Sequence, residues 1–142
     1  MLIIDDVQFL SGKERAQEEF FHIFNAIFQA GKQVVLTSDR PPKDISQLEK
    51  RLKSRFGSGI IVDIQPPDLE TRIAILRHEL SSRGRPNSLS DEILLYVAEN
   101  VDSNVRELKG ALNQLIARQE FGGGSLDLPM TRQIIAQNVT GI

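Results

Sequence analysis

Met1-Leu2-Ile3-Ile4-Asp5-Asp6-Val7-Gln8-Phe9 opens the chain, and the reading of the rest follows from this stretch. Leu2-Ile3-Ile4 is a short apolar, β-branched run stopped by paired carboxylates, the pattern of a buried strand. In open α/β sheets the carboxyl ends of the strands face the crevice where ligands bind. Two acids at such an end suit a hydrated Mg²⁺ and a water aimed at a phosphate. The same pair also reads as a solvated turn or a helix N-cap. No G-x-x-x-x-G-K-[ST] loop, which would cradle phosphates, occurs in the 142 residues.

Outward from the acids, 7–13 reads as a loop ending in Ser11-Gly12-Lys13. From Glu14 to Ala30, Ala16, Phe20, Phe24, Ile27 and Phe28 recur at three- and four-residue spacing, which predicts an amphipathic helix stopped by Gly31. Gln33 to Thr37 predicts a second buried strand, running into the Ser38-Asp39-Arg40-Pro41-Pro42 loop, which the prolines keep from being helical. Ile45, Leu48, Leu52 and Phe56 outline a second helix rich in Lys50, Arg51, Lys53 and Arg55. Gly57-Ser58-Gly59 breaks it, and Ile60 to Ile64 predicts a third strand.

At Gln65-Pro66-Pro67 the pattern turns helical for good. Asp68 and Ser90 are N-cap candidates, as are Ser103 and Asn104 for the helix reaching about Phe121. Gly122-Gly123-Gly124 interrupts, and Pro129 starts a last helix carrying Ile134, Ile135 and Val139. The expected organisation is α/β over 1–65, strand–helix–strand–helix–strand, then an all-α bundle over 66–142.

Composition narrows the function classes. A net charge of −2 gives no global attraction to nucleic acid or anionic membrane, so any such contact is a local patch. Cysteine is absent, which excludes disulfides and thiolate metal sites and suits a reducing cytoplasm. His22 and His78 both fall in helical patterns and do not form a metal pair. No apolar run approaches the ~20 residues of a membrane span, and Met1 leads into a strand rather than a signal peptide.

Taken singly, the remaining polar features have plain readings. Ser38-Asp39 is a proline-rich turn, the 50–55 cations are a wet helix face, and Arg106 pairs with a nearby acid. Their order is more specific: acids after one strand, a polar loop after the next, arginines before a third, then a helical region with its own arginine. This order resembles an AAA+ ATPase from its Walker B element onward. Within that superfamily, Leu2–Phe9, Gly12-Lys13-Glu14-Arg15, Gln17-Glu18-Glu19-Phe20-Phe21-His22 and Thr37–Lys43 resemble the DnaA family of bacterial chromosomal replication initiators. So do Arg51-Leu52-Lys53-Ser54-Arg55-Phe56-Gly57, Pro66–Arg72 and Ser103-Asn104-Val105-Arg106-Glu107-Leu108. The likeness runs to about residue 121 and weakens from Gly122.

The resemblance implies a partial P-loop NTPase-type parallel sheet of three strands followed by a helical lid. It implies that Asp5 holds Mg²⁺ through its water shell and that Asp6 orients or activates the attacking water. Asp39 takes the first sensor position near the γ-phosphate of ATP. Arg55 matches an arginine finger supplied in trans to a neighbouring subunit's ATP, with Arg51 in the same contact. Arg106 matches the second sensor, and Lys13 and Arg15 fall where the family grips single-stranded DNA. A self-oligomer, single-stranded origin DNA and the replicative helicase machinery are the implied partners.

Two further expectations come with the resemblance. The family sheet runs 5-1-4-3-2, so the three strands here would be strands 3, 4 and 5, with a gap between the last two and unpaired edges. Without a phosphate loop, the 142 residues alone are expected neither to bind ATP tightly nor to hydrolyse it. Two other functions fit the same residues: a regulatory adaptor that docks on an initiator without hydrolysis, and an inactive fragment.

Overall fold

The computed structural model describes residues 1–140, with the side chains of 138–140 outside the description. The chain divides into two compact units, Met1–Asp63 and Ile64–Ile142.

In the first unit, β1 (Leu2–Ile4) and β2 (Val34–Leu36) form a parallel pair in the register Leu2 to Val34, Ile3 to Val35 and Ile4 to Leu36. Parallel strands need a crossover, and α1 (Glu14–Gln29) supplies it. Leu2, Ile4, Val34 and Leu36 turn to the half-buried face, while Ile3 and Val35 stand exposed. That alternation makes Ile4 and Leu36 neighbours of a small core built on Val7, Phe20, Ile45, Leu48, Leu52 and Phe56. The rings of Phe20 and Phe56 meet edge to face, with centroids 5.7 Å apart, a geometry that favours aromatic pairs beyond area burial.

Two expectations for this unit need correction. The third strand does not form: among the described residues the sheet has two strands, and residues 60–64 carry no regular secondary structure. Ile60 is 94% exposed and Ile64 90%. A β-branched run becomes a strand through ladder pairing and a covered face, and 60–62 are exposed outside the β1–β2 ladder. It has not closed onto β2 to fill the expected gap.

The second correction concerns the helix expected to span Ile45 to Phe56. Pro42–Asp44 is a short 3₁₀ turn, Gln47 takes a left-handed φ of 52°, and α2 covers Lys50–Gly57. Ile45 and Leu48 are buried as expected, but from a turn, because a left-handed residue cannot sit inside a right-handed helix.

The second unit is all-helical: α3 (Leu69–Ser82), α4 (Asp91–Asn100), α5 (Val105–Gly122) and α6 (Leu128–Thr140). The Asp68 carboxylate accepts from Thr71 N at 2.8 Å, the Ser90 hydroxyl from Ile93 N at 3.3 Å and the Asn104 amide oxygen from Glu107 N at 2.8 Å. Each satisfies an orphan helix-start donor. Gly123 ends α5 at a left-handed φ of 69°, where a Cβ is unfavourable. Leu76, Leu80, Leu108, Leu112, Leu115 and Ile135 form its core. Burying a side chain of that size contributes about 1.5–3 kcal/mol each before entropy is counted. Val139, expected on the apolar face of the last helix, has its side chain outside the described residues. Among the described residues no helix is long and apolar enough to cross a membrane.

Candidate functional site

Parallel pairing puts the carboxyl ends of β1 and β2 at one edge, bringing Asp5 and Asp6 beside Thr37, Ser38 and Asp39 although they are some thirty positions apart in sequence. The Thr37 hydroxyl donates to the Asp5 carboxylate. The same oxygen accepts the backbone N–H of Asp6 at 2.9 Å. Backbone bonds from Thr37 N to Ile4 O at 3.0 Å and from Val7 N to Thr37 O at 2.9 Å extend the join past the strands.

Asp6 sits at φ 57°, ψ 53°, a left-handed conformation that Asp tolerates better than most residues. The chain therefore turns sharply into the 3₁₀ segment Val7–Leu10, leaving the Asp6 carboxylate exposed at the edge. Strained backbone of this kind costs on the order of 1–3 kcal/mol and gathers at functional sites.

Gln8 spans the two loops. Its side-chain nitrogen donates to Asp6 Oδ1 and its oxygen accepts from Asp39 N, each at 3.3 Å. Arg40 Nε and Nη2 grip the two Asp39 carboxylate oxygens at 2.8 and 3.1 Å. The Arg40 guanidinium, chiefly through this hydrogen bonding, holds the Asp39 carboxyl below its ordinary 3.8.

A second group of cations surrounds α1 and α2. Lys13 and Arg15 are exposed at the start of α1, with Lys13 Nζ 5.9 Å from the centroid of the Phe9 ring. Arg51 lies over the ring of Phe21 at 4.2 Å and donates to Glu49 Oε2 at 2.7 Å. Arg55, one turn on, is exposed, with its guanidinium 6.0 Å from the same ring. The two arginines are thus unequal: Arg51 is held by a ring and a carboxylate, and Arg55 reaches outward.

Arg106 is exposed in the first turn of α5, in the second unit. Its neighbour Glu107, one of the nearby acids, is instead bound by the Ser103 hydroxyl.

The structure brings Asp5, Asp6 and Asp39 together at one edge, and Lys13, Arg15, Arg51 and Arg55 around α1 and α2. Reading the sequence for site chemistry missed Thr37, Gln8, Arg40, Phe21 and Gln17. Gln17 had a visible signal: it lies three residues before Phe20 on the buried stripe of α1, where a polar residue needs partners.

A bound Mg²⁺ keeps most of its waters and takes one or two carboxylates. Asp5, backed by a hydroxyl and exposed at the edge, fits that requirement. Among the described residues no cluster of three acids or histidines forms a protein-only metal cage, which such a water-rich site does not need.

A family model for the bacterial DnaA ATPase domain matches residues 1–63. The chromosomal replication initiator protein DnaA of Thermus thermophilus is 53% identical over 142 residues, which is 100% of this chain and 31% of that protein. The chain thus spans about a third of the length of the curated relatives it matches. Domain III of the Thermotoga maritima replication initiation protein DnaA superposes with a TM-score of 0.90 at 42% identity, covering 98% of this chain and 57% of that one. A replication initiator DnaA bound to AMPPCP and single-stranded DNA gives a TM-score of 0.70 at 45% identity, over 80% of this chain and 34% of that one.

Proposed function

Because this chain belongs to the DnaA family of bacterial replication initiators, we propose that it supplies the Walker B-to-lid portion of an ATP-dependent initiator that assembles on and opens origin DNA. The observation that carries this reading is the Asp5–Thr37–Asp6–Gln8–Asp39 arrangement at the carboxyl edge of the parallel pair. It offers one carboxylate for a metal's water shell, a second for a water and a third beside an arginine.

In this reading Asp5 would hold Mg²⁺ through water, and the ion would supply positive charge to offset that of the phosphates. Asp6 accepts a proton of the attacking water, and its left-handed backbone and Gln8 fix where its carboxylate points. Asp39, ion-paired to Arg40, stands near the γ-phosphate of ATP. Arg55 extends to ATP on a neighbouring subunit, where a planar, always-charged donor set grips phosphate oxygens. Arg51 shapes the same contact, and Arg106 reaches the nucleotide from the lid. Lys13 and Arg15 contact the backbone of single-stranded DNA without a sequence code. Residues 1–65 act as the α/β part and 66–142 as the lid, in a cytoplasmic protein that hands the opened DNA to the replicative helicase machinery.

The test is a transplant. Replacing the matching third of the Thermus thermophilus relative with this chain should give a protein that assembles with ATP on single-stranded DNA. The same chimera carrying Arg55→Ala should not assemble. A folded chimera that stays monomeric with ATP and DNA refutes the proposal.

A further inference from the structure

Gln17 is a polar side chain buried to 1% exposure inside the first unit, and its amide bonds only to backbone. The amide nitrogen donates to Leu10 O at 2.6 Å and to Gln47 O at 2.9 Å. Its oxygen accepts from Glu49 N at 2.9 Å. Both donors are used and the oxygen has a partner, so the group is satisfied in a place where an unmatched amide is costly.

The segments it joins are the two that carry the cations. Leu10 O also accepts from Lys13 N at 3.0 Å, and Lys13 O accepts from Gln17 N at 2.9 Å. The Lys13 backbone is therefore tied on one side to the carbonyl that the Gln17 amide engages and on the other to Gln17's own backbone N–H. On the other side, Glu49 is the residue that starts α2, the helix bearing Arg51 and Arg55. The two loops are also clasped by Gly12 N to Gln47 O at 3.2 Å and by the Ser11 hydroxyl to Ser46 O. The clasp is tight: Gly12 and Gln47 both take left-handed backbone, and a Cβ on Gly12 would fall 2.6 Å from Gln47 Oε1.

Two sites that share one rigid set of hydrogen bonds stabilise each other, because ordering at one leaves less to order at the other. We infer that Gln17 is a positioning residue that couples single-stranded DNA contact at Lys13 and Arg15 to the placement of the α2 arginines. The inference rests on the proposed nucleic-acid role of Lys13 and Arg15 and adds a regulatory link to it. Strand binding would restrain the 10–15 segment, Gln17 would restrain the 46–49 turn, and Arg51 and Arg55 would be held for a neighbouring subunit.

Amide hydrogen exchange of the 142-residue chain, with and without a 25-nucleotide oligo-dT, tests this. In the wild type, saturating oligonucleotide should slow exchange across 46–52 by about five-fold or more, the lower end of a typical coupling. Gln17→Met keeps the bulk but none of the bonds, and should bind oligo-dT within about three-fold of wild type while losing that slowing. If Gln17→Met does not fold, Gln17→Glu serves. It keeps the acceptor for Glu49 N and loses the donors to Leu10 and Gln47, so it too should lose the response. Oligonucleotide binding with unchanged exchange at 46–52, or a response that survives in the Gln17 variants, overturns the coupling and leaves the DNA role standing. If Lys13→Ala/Arg15→Ala binds oligo-dT as well as wild type, or wild type does not bind it, the DNA role falls and the coupling with it.

Discussion

Thr37 and Asp5 close the carboxyl edge of the sheet: the Thr37 hydroxyl donates to the Asp5 carboxylate and its oxygen takes the Asp6 N–H. One hydroxyl at the end of β2 thus binds the carboxylate of one acid and the backbone of the next. Thr37→Val keeps the shape and β-preference but removes both bonds. It should destabilise the first unit by about 0.5–1.5 kcal/mol, the usual net worth of such hydrogen bonds, while Thr37→Ser should recover most of the loss. Urea denaturation of the three proteins checks it, and equal midpoints for Val and wild type would show the contact to be idle.

Asp39 and Arg40 give a pH dependence of defined sign. Arg40 holds the Asp39 carboxyl below its ordinary 3.8 in the folded chain. The pair's contribution is therefore fully present above about pH 4 and fades as pH falls through the lowered folded value. Nothing in this pair changes between pH 5 and 8. In an NMR titration, Arg40→Ala should move the Asp39 midpoint upward toward 3.8; a midpoint unmoved by the substitution would show that Arg40 does not set it.

How much of this was readable beforehand depends on whether the signal was local. The β1 bounds, the α1 stripe and the caps Asp68 and Ser90 followed from periodicity and capping chemistry, which act within a few residues, and the structure chooses Asn104 over Ser103 for the third cap. Residues 60–64 carry strand chemistry, but a strand is completed by its neighbours and its propensity alone does not supply one. The Ile45–Phe56 periodicity merged a turn with a helix because Ile45 and Leu48 are buried from either conformation; the left-handed Gln47 that separates them leaves no mark in hydrophobicity. At the site, the acids were legible by type and position. Thr37 and Gln8 were not, because their roles come from contacts across about 30 residues of sequence; Gln17 showed only as a polar residue on an apolar stripe, and its partners lie across the same distance.

For the nucleic-acid role, the salt dependence is the sharpest readout. Removing a cation that neutralises one phosphate should flatten the plot of log affinity against log salt by about 0.7 for single strands. Lys13→Ala and Arg15→Ala should each weaken binding to oligo-dT and oligo-dC alike, since cationic contacts carry no sequence code. Fluorescence anisotropy across a salt series checks this. Weakening confined to one base composition would point to base contacts instead.

Nucleotide affinity should separate this chain from the initiator DnaA bound to AMPPCP. With no glycine-rich phosphate loop in the 142 residues, ATP would meet Asp5, Asp6 and Asp39 without the amide cradle and lysine that offset phosphate charge. Isothermal titration of the chain with Mg·ATP should give no micromolar binding. Micromolar affinity would mean that cations already in this chain, Arg106 or the α2 arginines among them, hold the phosphates unaided.

The two α2 arginines should separate stability from assembly. Arg51 is engaged by Phe21 and Glu49 within its own unit, so Arg51→Ala should cost about 0.5–1 kcal/mol, the scale of an exposed cation–π contact. Arg55 is exposed and further from the ring, so Arg55→Ala should change stability by less than about 0.5 kcal/mol. In the Thermus chimera the order reverses. Arg55→Ala should abolish ATP-dependent assembly, and Arg55→Lys should fail to restore it, because an ammonium cannot reproduce the planar fork across a desolvated interface. Thermal melts paired with light scattering on the same samples check both halves. Assembly that survives Arg55→Ala but disappears in Arg51→Ala would move the finger's role to the earlier arginine.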